Sequence, residues 1–96
     1  MKKKPNPKPT IEDACIICGD PYAELHEVYY GNPYSRLSQE HKAQERLCHI
    51  HHRSQPQGVH GGNIKLDLEL KRKHQVRLEK EMTREQFIQI FGRSYL

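Results

Sequence analysis

Three cysteines and a scatter of histidines are the residues of this chain best suited to chemistry. Cys15 and Cys18 are separated by Ile16-Ile17, and Cys48 and His51 by His49-Ile50. Zinc takes four soft or borderline ligands in a tetrahedron, and a gap of two residues lets one turn present two of them to the same ion. Cys15, Cys18, Cys48 and His51 are therefore the candidate structural zinc site, with His52 as the fourth ligand instead if the helix phase differs. Buried cysteines beside an unrelated histidine would be the ordinary alternative. It leaves unexplained why all three cysteines of the chain fall into two half-sites. His26, His52 and His60 suggest a second, chemically active ion.

Size points the same way. The chain has 96 residues, 34% of them hydrophobic, and reads as one domain. Chains this short bury a small fraction of their surface and commonly need a metal or disulfides as a staple. An odd cysteine count argues against a closed disulfide framework. No apolar run reaches the length of a membrane helix or a signal-peptide core, so the expectation is a cytoplasmic protein with reduced thiols and no membrane partner. The formal net charge of +4 and a pI near 9.1 suit a polyanionic partner. Four lysines in the first eight residues place much of that excess in a tail. A solvated arm and a DNA-contacting arm would look alike there.

The elements that must position these side chains can be read from the pattern. Residues 1–10, rich in lysine and proline, should be a disordered basic tail. The cysteine turn follows, with Gly19 able to take a positive φ. Glu24 to Tyr30 reads as a strand stopped by Gly31-Asn32-Pro33. The polar stretch 35–46 reads as a short helix starting near Ser35 or Ser38. Leu47 begins a strand or turn that passes into a helix carrying the second half-site. Residues 53–63, with three glycines and a proline, form a loop around His60. From Ile64 to Glu81 the pattern is helical, with Leu66, Leu70, Leu78 and Met82 on one stripe and His74 among them as a core or interface histidine. Thr83 and Gln86 make a capping box for a last helix, Met82 can staple onto Phe87, and Phe87, Ile90 and Phe91 form its buried face up to Gly92. His41 is expected in solvent, and His49 is expected to point away from the metal.

A zinc bound at the two half-sites would pin the β-hairpin region to the helix after Cys48, the arrangement called a treble clef. Leu25-His26-Glu27-Val28-Tyr29-Tyr30-Gly31, Leu47-Cys48 with His51-His52, and Gly58-Val59-His60 resemble the HNH endonucleases, in particular the small HNH proteins of phage and prophage genomes. The resemblance covers about residues 14–63, and the terminal Phe91-Gly92-Arg93-Ser94-Tyr95-Leu96 is also similar to their ends. It implies an α+β fold: a small zinc-stabilised ββα-metal core over residues 11–63, with a C-terminal helical segment, 64–96, packed on it. It further implies that His26 matches the first ligand position and Glu27 the general base. His52 matches the helical ligand, and His60 supplies a third contact. The catalytic ion would be Mg2+, Mn2+, Ni2+ or Zn2+.

The chain departs from that pattern at two places. The family commonly has histidine where Glu27 stands, so His26 could instead be the base with Glu27 as ligand or orienter. The family's middle asparagine has no counterpart among Ala43, Gln44 and Glu45. Phosphodiester hydrolysis needs an activated water, charge neutralisation at phosphorus and stabilisation of the leaving oxygen, and a cation with an open position supplies the last two. Arg53, Lys65 and Arg93 are the candidates for DNA phosphate contacts, each otherwise a solvated surface charge. The expected function is thus a metal-dependent endonuclease acting on DNA, weakly specific or structure-directed. A homodimer and a phage or host recombination or packaging factor are its candidate partners. The alternative is a non-catalytic zinc-stabilised DNA- or protein-binding module on the same scaffold.

Overall fold

The computed structural model describes residues 14–96, so the basic tail expected over 1–10 lies outside the described residues. The fold is α+β: a two-stranded antiparallel sheet with helices packed around it. Strand β1, Glu24–Glu27, pairs with β2, Gln44–Leu47, so that Glu24 faces Leu47 and His26 faces Glu45. Between them lies helix α1, Tyr34–Glu40.

This corrects the expected helix over 35–46. The helix starts at Tyr34 and stops at Glu40, and the chain reverses through His41-Lys42, where Lys42 takes a φ of 56°. Ala43 donates its N–H to the Ser38 carbonyl, and the next four residues find backbone partners in β1 rather than in a helix. A polar sequence with no apolar periodicity cannot resist that pairing, because long-range hydrogen bonding outweighs a weak local preference. Strand β1 is correspondingly shorter than expected. After Val28 donates to Ala43, the Ser38 hydroxyl takes over both backbone groups of Tyr29, accepting from its N–H at 3.0 Å and donating to its carbonyl at 2.7 Å.

Helix α2, His49–His52, begins at Cys48, which caps it by accepting the His51 N–H on its sulfur. The loop after it contains one 3-10 turn, Val59–Gly61. Two glycines let this loop fold back on the end of α2. A Cβ on Gly58 would lie 2.6 Å from the Arg53 backbone nitrogen, and one on Gly61 would collide with the Ser54 carbonyl. Helix α3, Ile64–Leu78, is capped by the Asn63 side chain and ends three residues before the expected Glu81. Lys80 and Glu81 donate to Arg77 and Leu78 in i to i−3 bonds that tighten the last turn and release the chain. Helix α4, Arg84–Phe91, has the capping box expected of Thr83 and Gln86.

The core gathers Val28, Tyr29, Ala43 and Leu47 from the sheet region, Leu66, Leu70 and Leu78 from α3, and Phe87 and Phe91 from α4. Tyr29 is its centre, with ring centroids 4.4 Å from Phe91 and 5.5 Å from Phe87. Met82 and Ile90 pack against it part-buried. His41, expected in solvent, is half-buried with its ring 5.7 Å from Phe91. Two polar ties hold the helices to the sheet. Arg77 donates to the carbonyls of His41 and Lys42, and the Glu45 carboxylate meets His74 and Lys73. Among the described residues no helix is long and apolar enough to cross a membrane.

Candidate metal centres

The cysteine cluster is built from two short turns. Cys15 to Asp20 close a loop in which Gly19, at a φ of 81°, donates to the Cys15 carbonyl, and Ile16 hangs the loop on β2 by donating to Arg46. Cys48 and His51 lie on the first turn of α2. The four ligand atoms of Cys15, Cys18, Cys48 and His51 all lie within 4.8 Å of one another. Cys18 Sγ is 3.7 Å from Cys48 Sγ, and His51 Nδ1 is 3.1 Å from Cys48 Sγ and 3.8 Å from Cys15 Sγ. Tetrahedral zinc with ordinary bond lengths would set sulfurs about 3.8 Å apart and sulfur from nitrogen about 3.5 Å. The cluster fits that ion, and the sulfurs are too far apart for disulfides.

Burial raises the Cys15 thiol, but the backbone groups of Cys48, Cys18 and Ile17 outweigh it and lower the pKa to about 6. A thiol so poised is readily present as the thiolate that zinc binds. The fourth ligand, open between His51 and His52 in the sequence, is decided by helix phase. His51 stands with the cysteines, and His52, one residue on and about 100° around the helix, does not.

His52 belongs to a second group. Ligand atoms of His26, His52 and His60 also lie within 4.8 Å of one another, with ring centroids 4.9, 5.0 and 5.1 Å apart. His26 comes from β1, His52 from the end of α2, and His60 from the 3-10 turn that Gly58 and Gly61 fold against α2. His26 is 1% exposed, yet neither of its ring nitrogens has a hydrogen-bond partner. A buried imidazole with two orphaned nitrogens calls for something to bind. Burial, then the neighbouring His52 and His60, lower the His26 pKa to about 3. Burial and His52 lower that of His60 as well. Both rings are therefore held neutral, the form in which imidazole ligates metals. His60 is the exposed member and leaves the cluster open to solvent on its side.

Glu27, the other residue proposed for catalysis, is not among these three. Successive strand residues point to opposite faces, and its carboxylate lies 3.5 Å from the Gln44 amide across the pair. Of the three candidate phosphate contacts, Arg53 is linked to the histidines, with its Nε 3.6 Å from Glu24. Lys65 is exposed on the first turn of α3, and Arg93 lies over the Tyr95 ring. His74 is a satisfied core histidine, its Nε2 2.7 Å from Glu45.

Several residues of this region escaped the sequence reading. Glu24 Oε1 lies 2.6 Å from His52 Nδ1. The available signal was strand alternation, which places Glu24 and His26 on one face. Tyr30 sets its ring 4.7 Å from that of His60, donates its hydroxyl to Asp67 and carries the Lys71 ammonium over its face. Nothing local in the sequence links Tyr30 to Asp67 and Lys71. In comparisons with known proteins, no family model, no curated protein and no solved structure matches the chain.

Proposed function

We propose that this chain is a divalent-metal-dependent endonuclease of the HNH kind, hydrolysing DNA phosphodiester bonds with weak or structure-directed specificity. Cys15, Cys18, Cys48 and His51 would hold a structural zinc, and His26, His52 and His60 a second, catalytic ion. One observation carries this reading. Three histidines from a strand, a helix and a glycine loop converge on one point, separately from the cysteine cluster. A zinc-stabilised binding module would need the cysteines alone. The order of elements supports it too. A two-stranded antiparallel pair runs directly into a short helix, as the ββα-metal core requires, and the cysteine cluster ties the turn before β1 to the start of α2 in the manner of a treble clef.

A divalent ion held by the three imidazoles would supply charge neutralisation at phosphorus and stabilise the leaving oxygen. The protein's own part is to hold His26 and His52 in the interior and to present His60 at the open side. Arg53, on the rim, can pair with a phosphate as a charge independent of base sequence. Glu27 lies apart from the cluster, and His26 serves as a ligand, so neither of the two residues considered is assigned water activation. A bound ion would itself lower the pKa of a water at its open position.

Cleavage of supercoiled plasmid in Mg2+, Mn2+, Ni2+ or Zn2+ tests the proposal. His60→Ala is the informative variant because an exposed ring can be removed without opening the core. The wild type should nick the plasmid. The variant should keep one bound zinc per chain and lose activity on the order of 100-fold or more, as expected when a Lewis-acid contribution of several kcal/mol is removed. A folded, zinc-loaded wild type that cuts nothing with any of the four metals would favour the non-catalytic module instead.

A further inference from the structure

We propose that Glu24 is a positioning residue that locks His52 as an Nε2 ligand, so that the adjacent histidines His51 and His52 serve their two metals through opposite ring nitrogens. The inference rests on the reading of His26, His52 and His60 as a metal centre.

An ionised carboxylate can only accept hydrogen bonds. With Glu24 Oε1 2.6 Å from His52 Nδ1, Nδ1 must carry a proton, and in the neutral ring that ligates a metal the lone pair is then left on Nε2. His52 is 4% exposed, so its ring is held within the fold. His51 is arranged the other way round. Its Nδ1 faces the sulfurs of Cys48 and Cys15 at 3.1 and 3.8 Å. Two neighbouring residues of one helical turn therefore need opposite tautomers, and a free imidazole has no strong preference of its own. Something must impose the choice at each position. The cysteine cluster does so for His51, and Glu24 does so for His52.

The support is rigid. Glu24 sits two residues before His26 on β1, so one face of one strand carries a ligand of the cluster and the orienter of another ligand. Arg53 Nε, 3.6 Å from the same Glu24 oxygen, helps hold the carboxylate in place. Strand pair Glu24 and His26 and helix pair His52 and Arg53 thus form one interlocked unit. A carboxylate behind a ligating histidine fixes ring orientation and raises ligand basicity, and removing such a partner typically costs about 10–100-fold in metal affinity.

The test uses the full chain already holding one zinc. Long-range proton–nitrogen correlation should show His52 protonated at Nδ1. Cobalt(II) titrated into the second site and followed by its visible absorption should bind Glu24→Ala about 10–100-fold more weakly than wild type. Glu24→Gln, whose amide oxygen can still accept from Nδ1, should restore the Nδ1-protonated form and most of the affinity. A structural role alone would not be rescued in the tautomer. His52 protonated at Nε2 in the wild type would overturn the inference, and so would unchanged cobalt affinity in Glu24→Ala. If Glu24→Ala fails to fold, the wild-type tautomer and the Gln variant still decide. A wild type with no second cobalt site would instead sink the metal-centre reading on which the inference stands.

Discussion

A single step along a helix rotates a side chain by about 100°, and at His51-His52 that step separates two kinds of site. His51 turns toward three sulfurs, a soft set suited to holding zinc closed, and His52 turns toward two imidazoles, a harder set open to solvent through His60. The same geometry makes a prediction for Glu27. A general base must reach the water it deprotonates, and alternation along β1 turns Glu27 away from His26 and toward Gln44. Glu27→Gln should therefore retain nicking activity to within about tenfold, whereas loss of a working general base costs roughly 10²–10⁴-fold. Rates measured at saturating metal decide it. A loss of the larger size would return Glu27 to the chemistry. The cysteine cluster was legible from residue type and spacing, and the three clustering histidines from residue type and from their resemblance to the HNH pattern. Glu24 was not singled out, because an acidic residue near the start of a strand looks like solvated surface until its partner 28 positions away is known.

Among the elements, the sheet depends on an ion-paired contact with α3. Glu45 on β2 accepts from His74 Nε2 at 2.7 Å and from Lys73 Nζ at 2.6 Å. Burial raises the Glu45 pKa, but His74 and Lys73 together outweigh it and the net shift is downward. The contribution of this group to stability is thus present above the unfolded carboxylate pKa, about 4.3, and is lost as pH falls through the lower folded value. Glu45→Gln should cost roughly 1.5–3 kcal/mol near neutral pH, the range for hydrogen bonds to a charged group. The gap between wild type and variant in urea titrations should close as the pH drops below about 4. Comparing the two proteins at each pH cancels the loss of metal that acid causes in both. A gap that persists unchanged at acid pH would show that the cost comes from packing rather than charge. This contact also marks where the sequence was hardest to read. Helices α3 and α4 announce themselves through a leucine stripe and a capping box, which are local. Strand β2 has neither, and Gln44-Glu45-Arg46-Leu47 becomes a strand because β1 supplies backbone partners and α3 supplies a cation and an imidazole for Glu45.

For the molecule as a whole, the two candidate centres should differ in what they hold together. The buried apolar side chains are few, and those nearest the sheet, Leu47 and Cys48, run straight into the cysteine cluster. Without an ion there, Cys15, Cys18 and Cys48 crowd three sulfurs and an imidazole with nothing to bridge them, and the turn over residues 15–20 keeps little beyond its backbone bonds. In so small a chain the binding free energy of a structural zinc is largely folding free energy. The histidine centre is different, because its rings are carried by elements already fixed by Glu24, by the glycines at 58 and 61, and by the packing of Tyr30. Removing metal in stages should therefore give two separate events. A weak chelator should empty the open histidine centre first, abolishing cleavage while leaving far-ultraviolet circular dichroism and the melting temperature nearly unchanged. A strong chelator should then extract the cysteine-bound zinc and unfold the chain, with refolding on return of one equivalent of zinc. Metal content, dichroism and nicking followed across one titration distinguish the steps. If activity and fold vanish together, the two centres are energetically one. If the fold survives the loss of all metal, the hydrophobic core around Tyr29, Phe87 and Phe91 is sufficient by itself, and the cysteines must serve another purpose than the staple assigned to them.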